Sequence, residues 1–476
     1  MICDKHNKIP EKPKNRKAKI VLFFPHVGYE NDVWMPFPYL YMAPFLENHG
    51  YEVVILDSRV NMENWEQILQ KELEDAFAIG ITSMSGPDLI PAMRASQIAQ
   101  SMKNKVHVMW GGHHSSALPD EIFNENMADY VFLGPAEYTF PKVLDCLFEK
   151  KEFPPELKGV LWRDKKGEIA GQRIPNFAKF DYEEAPAYHL IDVEKYRSKN
   201  NVVAYFKTRG CPFKCTFCAT GNFNTSHKLP SQYHREIKYL LDDLKFDNLC
   251  FRDPTFFLKA SVVMDCAELI NNLGQEKKWK GQARGTFHRQ YSPEQFKYMK
   301  KSGLTSVMFG VESGSQRMLD FMVKKVKRED YVKSAEVLGG LGIEMYASFM
   351  FAMPGETVAD LRETIKLMHE LKKVNPNIFL QNCIFIPLPA TKMFKDAVGM
   401  GYKPPTTLLG WSKRNISSRF EERTDVNWMP KQELKEYIKI YNEEFGVYKH
   451  AWEQERDGEY QSPMSAAMDS NTAMHE

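Results

Sequence analysis

The chain has 476 residues, 43% hydrophobic and 26% charged, so it can bury more than one core and is expected to form two or three domains. Its 63 Lys and Arg nearly cancel its 62 Asp and Glu, and the net charge of +1 excludes attraction to nucleic acid or anionic membranes by bulk charge. A mean hydropathy of −0.46, with no apolar run long enough for a bilayer, excludes an integral helical membrane protein.

Residues 1–18 are basic but lack the apolar stretch of a secretory signal, and are expected to form a disordered leader with a cytoplasmic protein behind it. From 19 to 150, strands are predicted at KIVLFFP, YEVVILD, AFAIGITSM, VHVMWGG and DYVFLG. Amphipathic helices fall between and after them, near 38–49, 62–75, 88–103, 118–126 and 136–149. This alternation predicts an α/β, doubly wound, Rossmann-like parallel sheet that binds its ligand beyond the strand C-termini. Residues 151–200 break the rhythm with a small hairpin around Lys165-Lys166-Gly167 and a Pro-containing connection, and read as a linker.

A second βα series runs over 201–390, with strands VVAYFKT, NLCFRD, GQARGTF, SVMFGVE, IEMYASFMF and NIFLQNCIFIP. Helices follow the first five strands at 233–245, 259–273, 292–302, 315–341 with a break near 325, and 357–373. Six units are too few for an eight-stranded barrel but suit a partial (β/α)6 one, with its chemistry at the strand C-termini. Residues 391–476 form a small mixed C-terminal region, helical near 430–445 and ending in a small, polar, disorder-prone tail.

Of the eight cysteines, Cys3, Cys146, Cys250, Cys266 and Cys383 are scattered singly and read as packed or unreactive thiols. Cys211, Cys215 and Cys218 form a C-x3-C-x2-C pattern in TRGCPFKCTFCATG, directly after the first strand of the second series. Three thiolates on one loop can each hold a different iron of a cubane cluster, leaving one iron open to a non-protein ligand. A zinc knuckle is the alternative, and its only close fourth ligand is His227.

This loop and its position resemble those of the radical SAM superfamily. FRDPTF (251–256), Arg284 in QARGTF, FGVESG (309–314), MPGET (353–357) and PLPAT (387–391) follow in the superfamily's order, with Ala390 where a Gly is usual. The resemblance implies a [4Fe-4S] cluster on Cys211, Cys215 and Cys218, and S-adenosylmethionine (SAM) as the ligand of the open iron. Reductive cleavage of SAM would then give a 5′-deoxyadenosyl radical. It further implies that Glu312 contacts the ribose or amino group of SAM and that Phe217 lines the adenine. The Gly355 turn would admit backbone to the cofactor, and Arg284 could neutralise its carboxylate. Taken singly, Arg284 and Glu312 are equally at home in salt bridges, and Gly355 in an ordinary turn.

A doubly wound domain ahead of such a barrel resembles the B12-binding radical SAM class. ITSMSG (81–86), WGGHHSS (110–116) and GPAEYTF (134–140) carry that resemblance. It implies a cobalamin site in which Ser83, Gly111 and Gly112 line the slot for the nucleotide tail, Met84 and Ser85 edge the corrin, and His113 lies nearby. His113 and His114 read equally as loop residues with ordinary hydrogen bonds. The D-x-H-x-x-G motif of histidine-ligated cobalamin domains fails, because Phe24 precedes His26 where Asp is needed and Tyr29 replaces the Gly. The expectation is cobalamin without a histidine axial ligand. No G-x-G-x-x-G follows the first strand, against an NAD domain, and 19–145 contains no Cys, against a methylthiotransferase.

The reading is an oxygen-sensitive, cobalamin-dependent radical SAM methyltransferase that methylates an unactivated carbon of a small molecule. A cyclase or rearrangement enzyme, as in the anaerobic magnesium-protoporphyrin ester cyclase, or a P-methyltransferase fits the same architecture. An electron donor such as flavodoxin or ferredoxin is implied as partner. Trp411, Lys413, Arg414 and Arg419 form a basic, aromatic-bearing segment that either caps an anionic substrate or is a solvated helix face. Tyr346, Arg252 and Asp253 are barrel-end residues available to substrate or cofactor.

Overall fold

The computed structural model describes residues 18–25, 34–177, 180, 184–222, 224–274, 276–414, 420, 423 and 425–445. The chain divides into one unit of Met1–Arg197 with Pro405–Arg414 and a second of Ser198–Pro404 with Asn415–Glu476.

Apolar runs at Lys19–Phe24 (β1), Glu52–Asp57 (β2), Ala76–Ser83 (β3), His107–Gly111 (β4) and Tyr130–Phe132 (β5) form the parallel part of the first sheet. Helices Phe37–Asn48 (α1), Trp65–Leu73 (α2), Leu89–Gln100 (α3), Gly112–Ala117 (α4), Pro119–Asn124 (α5) and Thr139–Phe148 (α6) connect them. The strand order is β2-β1-β3-β4-β5, so the winding reverses between β1 and β3, the place where open α/β sheets take their ligands. Val160–Arg163 (β6) and Ile169–Gly171 (β7) are the hairpin foreseen in the linker. The structure corrects its placement: β6 pairs antiparallel with β5 and the hairpin extends the sheet to seven strands. A bare β5 would expose a row of unpaired backbone groups, and the hairpin covers it.

In the second unit Val202–Tyr205 (β8), Asn248–Phe251 (β11), Lys278–Ala283 (β12), Leu304–Glu312 (β13), Glu344–Phe351 (β14) and Ile378–Ile384 (β15) form a wholly parallel sheet in sequential order. Thr208–Arg209 (β9) and Ser226–His227 (β10) make a separate antiparallel ribbon. The helices are Pro230–Lys238 (α7), Ala260–Leu273 (α8), Pro293–Lys301 (α9), Gln316–Phe321 (α10), Arg328–Gly340 (α11), Val358–Val374 (α12), Lys392–Gly399 (α13) and Lys431–Phe445 (α15), while Leu408–Ser412 (α14) belongs to the first unit. This is the expected partial (β/α)6 arrangement. The third strand starts earlier than GQARGTF and ends at Ala283, which leaves Arg284 just beyond it.

Strand alternation assigns the two faces of this sheet. Val307, Phe309, Val311, Ala347, Phe349 and Phe351 are fully or almost fully buried on one face, while Met308, Gly310, Tyr346 and Ser348 alternate with them on a more open one.

The C-terminal region does not form one cap. Pro405–Arg414, including α14, belongs to the first unit, whereas α15 packs on α12 in the second. Trp411 and Arg414 therefore belong to the first unit and form no solvated helix face, Trp411 being 1% exposed. Arg419 and the final tail lie outside the described residues, as do His26, Tyr29 and the first 17 residues. Among the described residues, no helix is long and apolar enough to cross a membrane.

Candidate functional site

The β9–β10 ribbon closes the base of the cysteine loop by pairing Thr208 with His227 and Arg209 with Ser226. Within it the backbone of Thr216 is tied at both ends, its N–H to Met322 O at 3.0 Å and its carbonyl to Met393 N at 2.9 Å. The Cys218 N–H closes a turn on Cys215 O at 3.1 Å. Gly221 admits the loop's return, since a Cβ there would lie 2.6 Å from Phe213 O. Cys211, Cys215 and Cys218 are all free and partly exposed. No three His, Cys, Asp or Glu among the described residues converge as a single ion requires. Three free thiols on one loop could each serve a separate iron of an iron–sulfur cluster.

The stem of the loop rests on a buried ionic layer. Lys228 pairs with Glu236 and lies 4.7 Å from the Tyr205 ring, while Lys207 N–H donates to Asp253 at 3.2 Å. Burial pulls the Lys228 ammonium down to about 8 against the pull of Glu236, and raises the Asp253 carboxyl against its bonds from Thr208 and Lys207. Asp253, fully buried, therefore pins the loop's stem and does not face an open site, whereas Arg252 is exposed.

Around the cysteines the predicted residues come together with one that sequence reasoning missed. Arg284 lies with its guanidinium 3.5 Å from the Phe213 ring centre, one amino group 4.0 Å from Cys215 Sγ and the other bonded to the Lys324 carbonyl. Its donors thus face a cysteine and a backbone carbonyl, and Lys324 brings a second cation close by. The Lys324 Nζ is 2.8 Å from Glu312 Oε1 and 5.4 Å from the Phe217 ring centre. Burial opposes its charge, but Glu312, with Tyr331 and Cys215, more than offsets this and raises its pKa.

Local backbone aims this pair. Glu312 follows a bulge at the end of β13 and has φ +68, and Lys324 stands between Val323 at φ +54 and Lys325 at φ +52. Left-handed geometry is an outlier for a β-branched residue and costs of order 1–3 kcal/mol, so the surrounding fold must enforce it. Ala390 has φ +64, which accounts for the Gly usual at that place in PLPAT. Lys324, the first residue of KKVKR (324–328), was not singled out from the sequence, and nothing in that run marks its left-handed neighbours.

Register extends the same face into β14 and β15. Tyr346 stacks on Phe379 and donates to Gln381 Oε1 at 2.5 Å. Cys383 lies in register with Met350, and burial, with Glu312 nearby, pushes its thiol up to about 11. The MPGET turn is braced from the C-terminal segment: Trp428 Nε1 donates to Ala352 O at 2.8 Å, and Ala352 N–H to Tyr437 Oη at 3.0 Å. Gly355 has φ +77 with open space where a Cβ would be. Glu356 inside the turn accepts from Met353 N–H at 2.8 Å, and burial raises its carboxyl to about 8. A polar cavity of about 790 Å3 at the start of α11, lined by Arg289, Lys325, Lys327 and Asp330 among others, includes none of the cysteines.

In the first unit the predicted cobalamin residues divide into two groups. Ser83 is buried, with its hydroxyl 2.9 Å from Gly111 O and 2.7 Å from Ser115 Oγ. Gly112, at φ +94, is required by β3 itself, because a Cβ would lie 2.6 Å from Ser83 O and 2.7 Å from Ser83 N. Both residues weld β3 to β4 rather than offering a free surface. Gly111 has room, Met84 is 56% exposed, Ser85 is partly exposed, and Gly86 has nothing within 4 Å of its Cβ position. Met84, Ser85 and Gly111 form the open rim at the C-terminal ends of β3 and β4, while Gly86 itself is buried. His113 is exposed, while its neighbour His114 is fully buried and 2.8 Å from Ser85 Oγ through Nδ1.

The B12-binding domain family matches residues 31–144 and the radical SAM superfamily matches 205–368. A Pyrococcus horikoshii protein described as an uncharacterized methyltransferase, PH0819, is 27% identical, over 76% of this chain and 78% of its own. The cytidylyl-2-hydroxyethylphosphonate methyltransferase of Streptomyces wedmorensis is 23% identical over 83% of this chain and 84% of its own. Among solved structures, the radical S-adenosylmethionine methyltransferase TsrM from Kitasatospora setae, with cobalamin and a [4Fe-4S] cluster bound, superposes with a TM-score of 0.64. It is 15% identical and covers 81% of this chain and 75% of that one, a likeness of fold.

Proposed function

We propose that this chain, which belongs to the B12-binding radical SAM enzymes, transfers a methyl group to an unactivated carbon of a small molecule. The observation that carries the reading is the free Cys211, Cys215 and Cys218 set beside the buried Lys324–Glu312 pair, in a chain that also holds a B12-binding domain. When bound, the cluster and SAM supply hydrogen abstraction from carbon, and cobalamin supplies the methyl group.

The chain's own residues bind and orient. Cys211, Cys215 and Cys218 hold the cluster, and Arg284 beside Cys215 places a fixed positive charge against it. Lys324 and Glu312 offer one cation and one anion, the complement of the carboxylate and ammonium of an amino-acid zwitterion. Phe217 supplies an apolar face next to them for a flat base. Tyr346, Phe379 and Gln381 line the same sheet face deeper in and suit a substrate with a planar or amide-bearing portion.

Met84, Ser85 and Gly111 edge the cobalamin at the β1/β3 reversal. A cobalamin held there would lack a histidine axial ligand in this reading, because Phe24, in the position of the motif's acid, offers no carboxylate to orient a histidine and packs instead on Tyr39 and under Arg59. Two names among the relatives support methyl transfer.

The test is anaerobic incubation of the reconstituted protein with cobalamin, a reductant and CD3-labelled SAM. Deuterium recovered in the corrinoid fraction is expected. Deoxyadenosine formed with no label in the corrinoid would replace methyl transfer with a cyclase or rearrangement reading.

A further inference from the structure

His114 is a wholly buried imidazole that none of the chemistry above uses. Its Nδ1 lies 2.8 Å from Ser85 Oγ, on a loop whose Met84 is 56% exposed. Its Nε2 faces Glu121 Oε2 at 4.0 Å, and neither atom has a hydrogen-bond partner among the described residues. The ring is closed off by Trp411, edge-on at 5.9 Å, and the Arg414 guanidinium lies 5.4 Å from the Trp411 ring centre. The Trp411 segment is itself anchored, Leu408 N–H donating to Glu125 Oε1 at 2.7 Å. Glu121 and Arg414 therefore stand near this imidazole, with Glu125 close to Glu121. Burial, with Arg414 nearby, holds it neutral by taking its pKa down to about 4, while burial lifts the Glu121 carboxyl to about 7.

We propose that His114 is a positioning residue: as the Nε2–H tautomer, with the Glu121 carboxyl 4.0 Å from that nitrogen, its Nδ1 accepts a hydrogen bond from the Ser85 hydroxyl and leaves the Ser85 oxygen lone pairs for a primary amide on the rim of a bound corrin. A neutral imidazole carries one N–H, so the group at Nε2 decides whether Nδ1 donates or accepts. The corrin periphery is ringed by acetamide and propionamide groups, whose N–H bonds seek acceptors of this kind. Trp411 serves by excluding water, which would otherwise bridge the imidazole and carboxyl and blur the choice of tautomer. This inference rests on the reading of the first unit as the cobalamin-binding one.

The experiment titrates hydroxocobalamin into the full-length protein and follows its visible spectrum. Ser85→Ala and His114→Leu are each expected to weaken binding about tenfold, the scale of one hydrogen bond. The double variant should be no weaker than either alone, because both remove one interaction. His114→Asn, whose amide occupies the place of Nδ1, should stay near the wild type, and His114→Gln, whose amide reaches the place of Nε2, should not. Circular dichroism of each variant establishes folding, and the Asn/Gln contrast serves if the Leu variant is unfolded. Independent losses that multiply to about a hundredfold, or equal binding by the Asn and Gln variants, would overturn the positioning role. A wild-type protein that binds no hydroxocobalamin would instead overturn the reading of the first unit and, with it, this inference.

Discussion

Glu356→Gln is the sharpest test of the architecture around the MPGET turn. Glu356 is fully within the protein, its carboxyl bonded to Met353 N–H, with Tyr437 and Trp428 closing the turn above Ala352. Burial raises its pKa from 4.5 to about 8. Between those values the native carboxyl keeps a proton that the unfolded chain has lost. The native state therefore binds more protons, and stability falls as pH rises through the window. The difference between the two values, at about 1.36 kcal/mol per pH unit, removes roughly 5 kcal/mol by the time pH exceeds 8. Gln has the shape of the protonated acid and does not titrate. Urea unfolding of both proteins at intervals from pH 5 to pH 9 measures the difference. The variant should match the wild type near pH 5 and gain roughly 5 kcal/mol over it by pH 9, about 2 M in midpoint at an ordinary m-value. Parallel curves across that range would mean that the carboxyl ionises as in water and that the turn is not sealed.

Four further outcomes follow from the same geometry. Cys215→Ala should abolish the four-iron complement after anaerobic reconstitution, as measured by iron and sulfide content; retention of a full cluster would refute the ligand assignment. Lys324→Met leaves Glu312 as an uncompensated anion in a buried site and should weaken SAM binding at least tenfold in equilibrium dialysis. Gly112→Ala should cost roughly 3 kcal/mol, from strained φ plus overlap with Ser83, whereas Gly111→Ala, whose nearest neighbour is Phe132 Cβ at 3.8 Å, should be nearly neutral in thermal unfolding. Ala390→Gly should stabilise by about 1 kcal/mol in urea unfolding, because it removes a left-handed alanine.

What could be read from the sequence was whatever depends on neighbours along the chain. The cysteine spacing, the strand alternation and a helix such as α12, expected at 357–373 and found at Val358–Val374, are local properties. The hairpin at 160–171 was equally local; its pairing with β5 was not, since it answers an edge created by the fold. Lys324 escaped notice because its importance lies in two left-handed residues on either side, a conformation that Val323 and Lys325 do not announce. Ser83 and Gly112 had the right chemistry for lining a slot, but the small residues serve the close approach of β3 to β4. Glu356 and His114 gained significance only through Tyr437 and Trp411, each far away in the chain.

The position of Pro405–Arg414 bears on how this polypeptide can be divided. The first unit needs ten residues that the ribosome delivers only after the whole barrel series has been made. During synthesis, then, the His114 side of the first sheet is completed last, and no single cut in the gene yields the two units intact. A fragment ending at Arg197 would lack Trp411 over His114 and the Leu408 bond to Glu125. Circular permutation, or supplying the 405–414 segment as a separate peptide, is the route to an isolated first unit with its buried imidazole still covered.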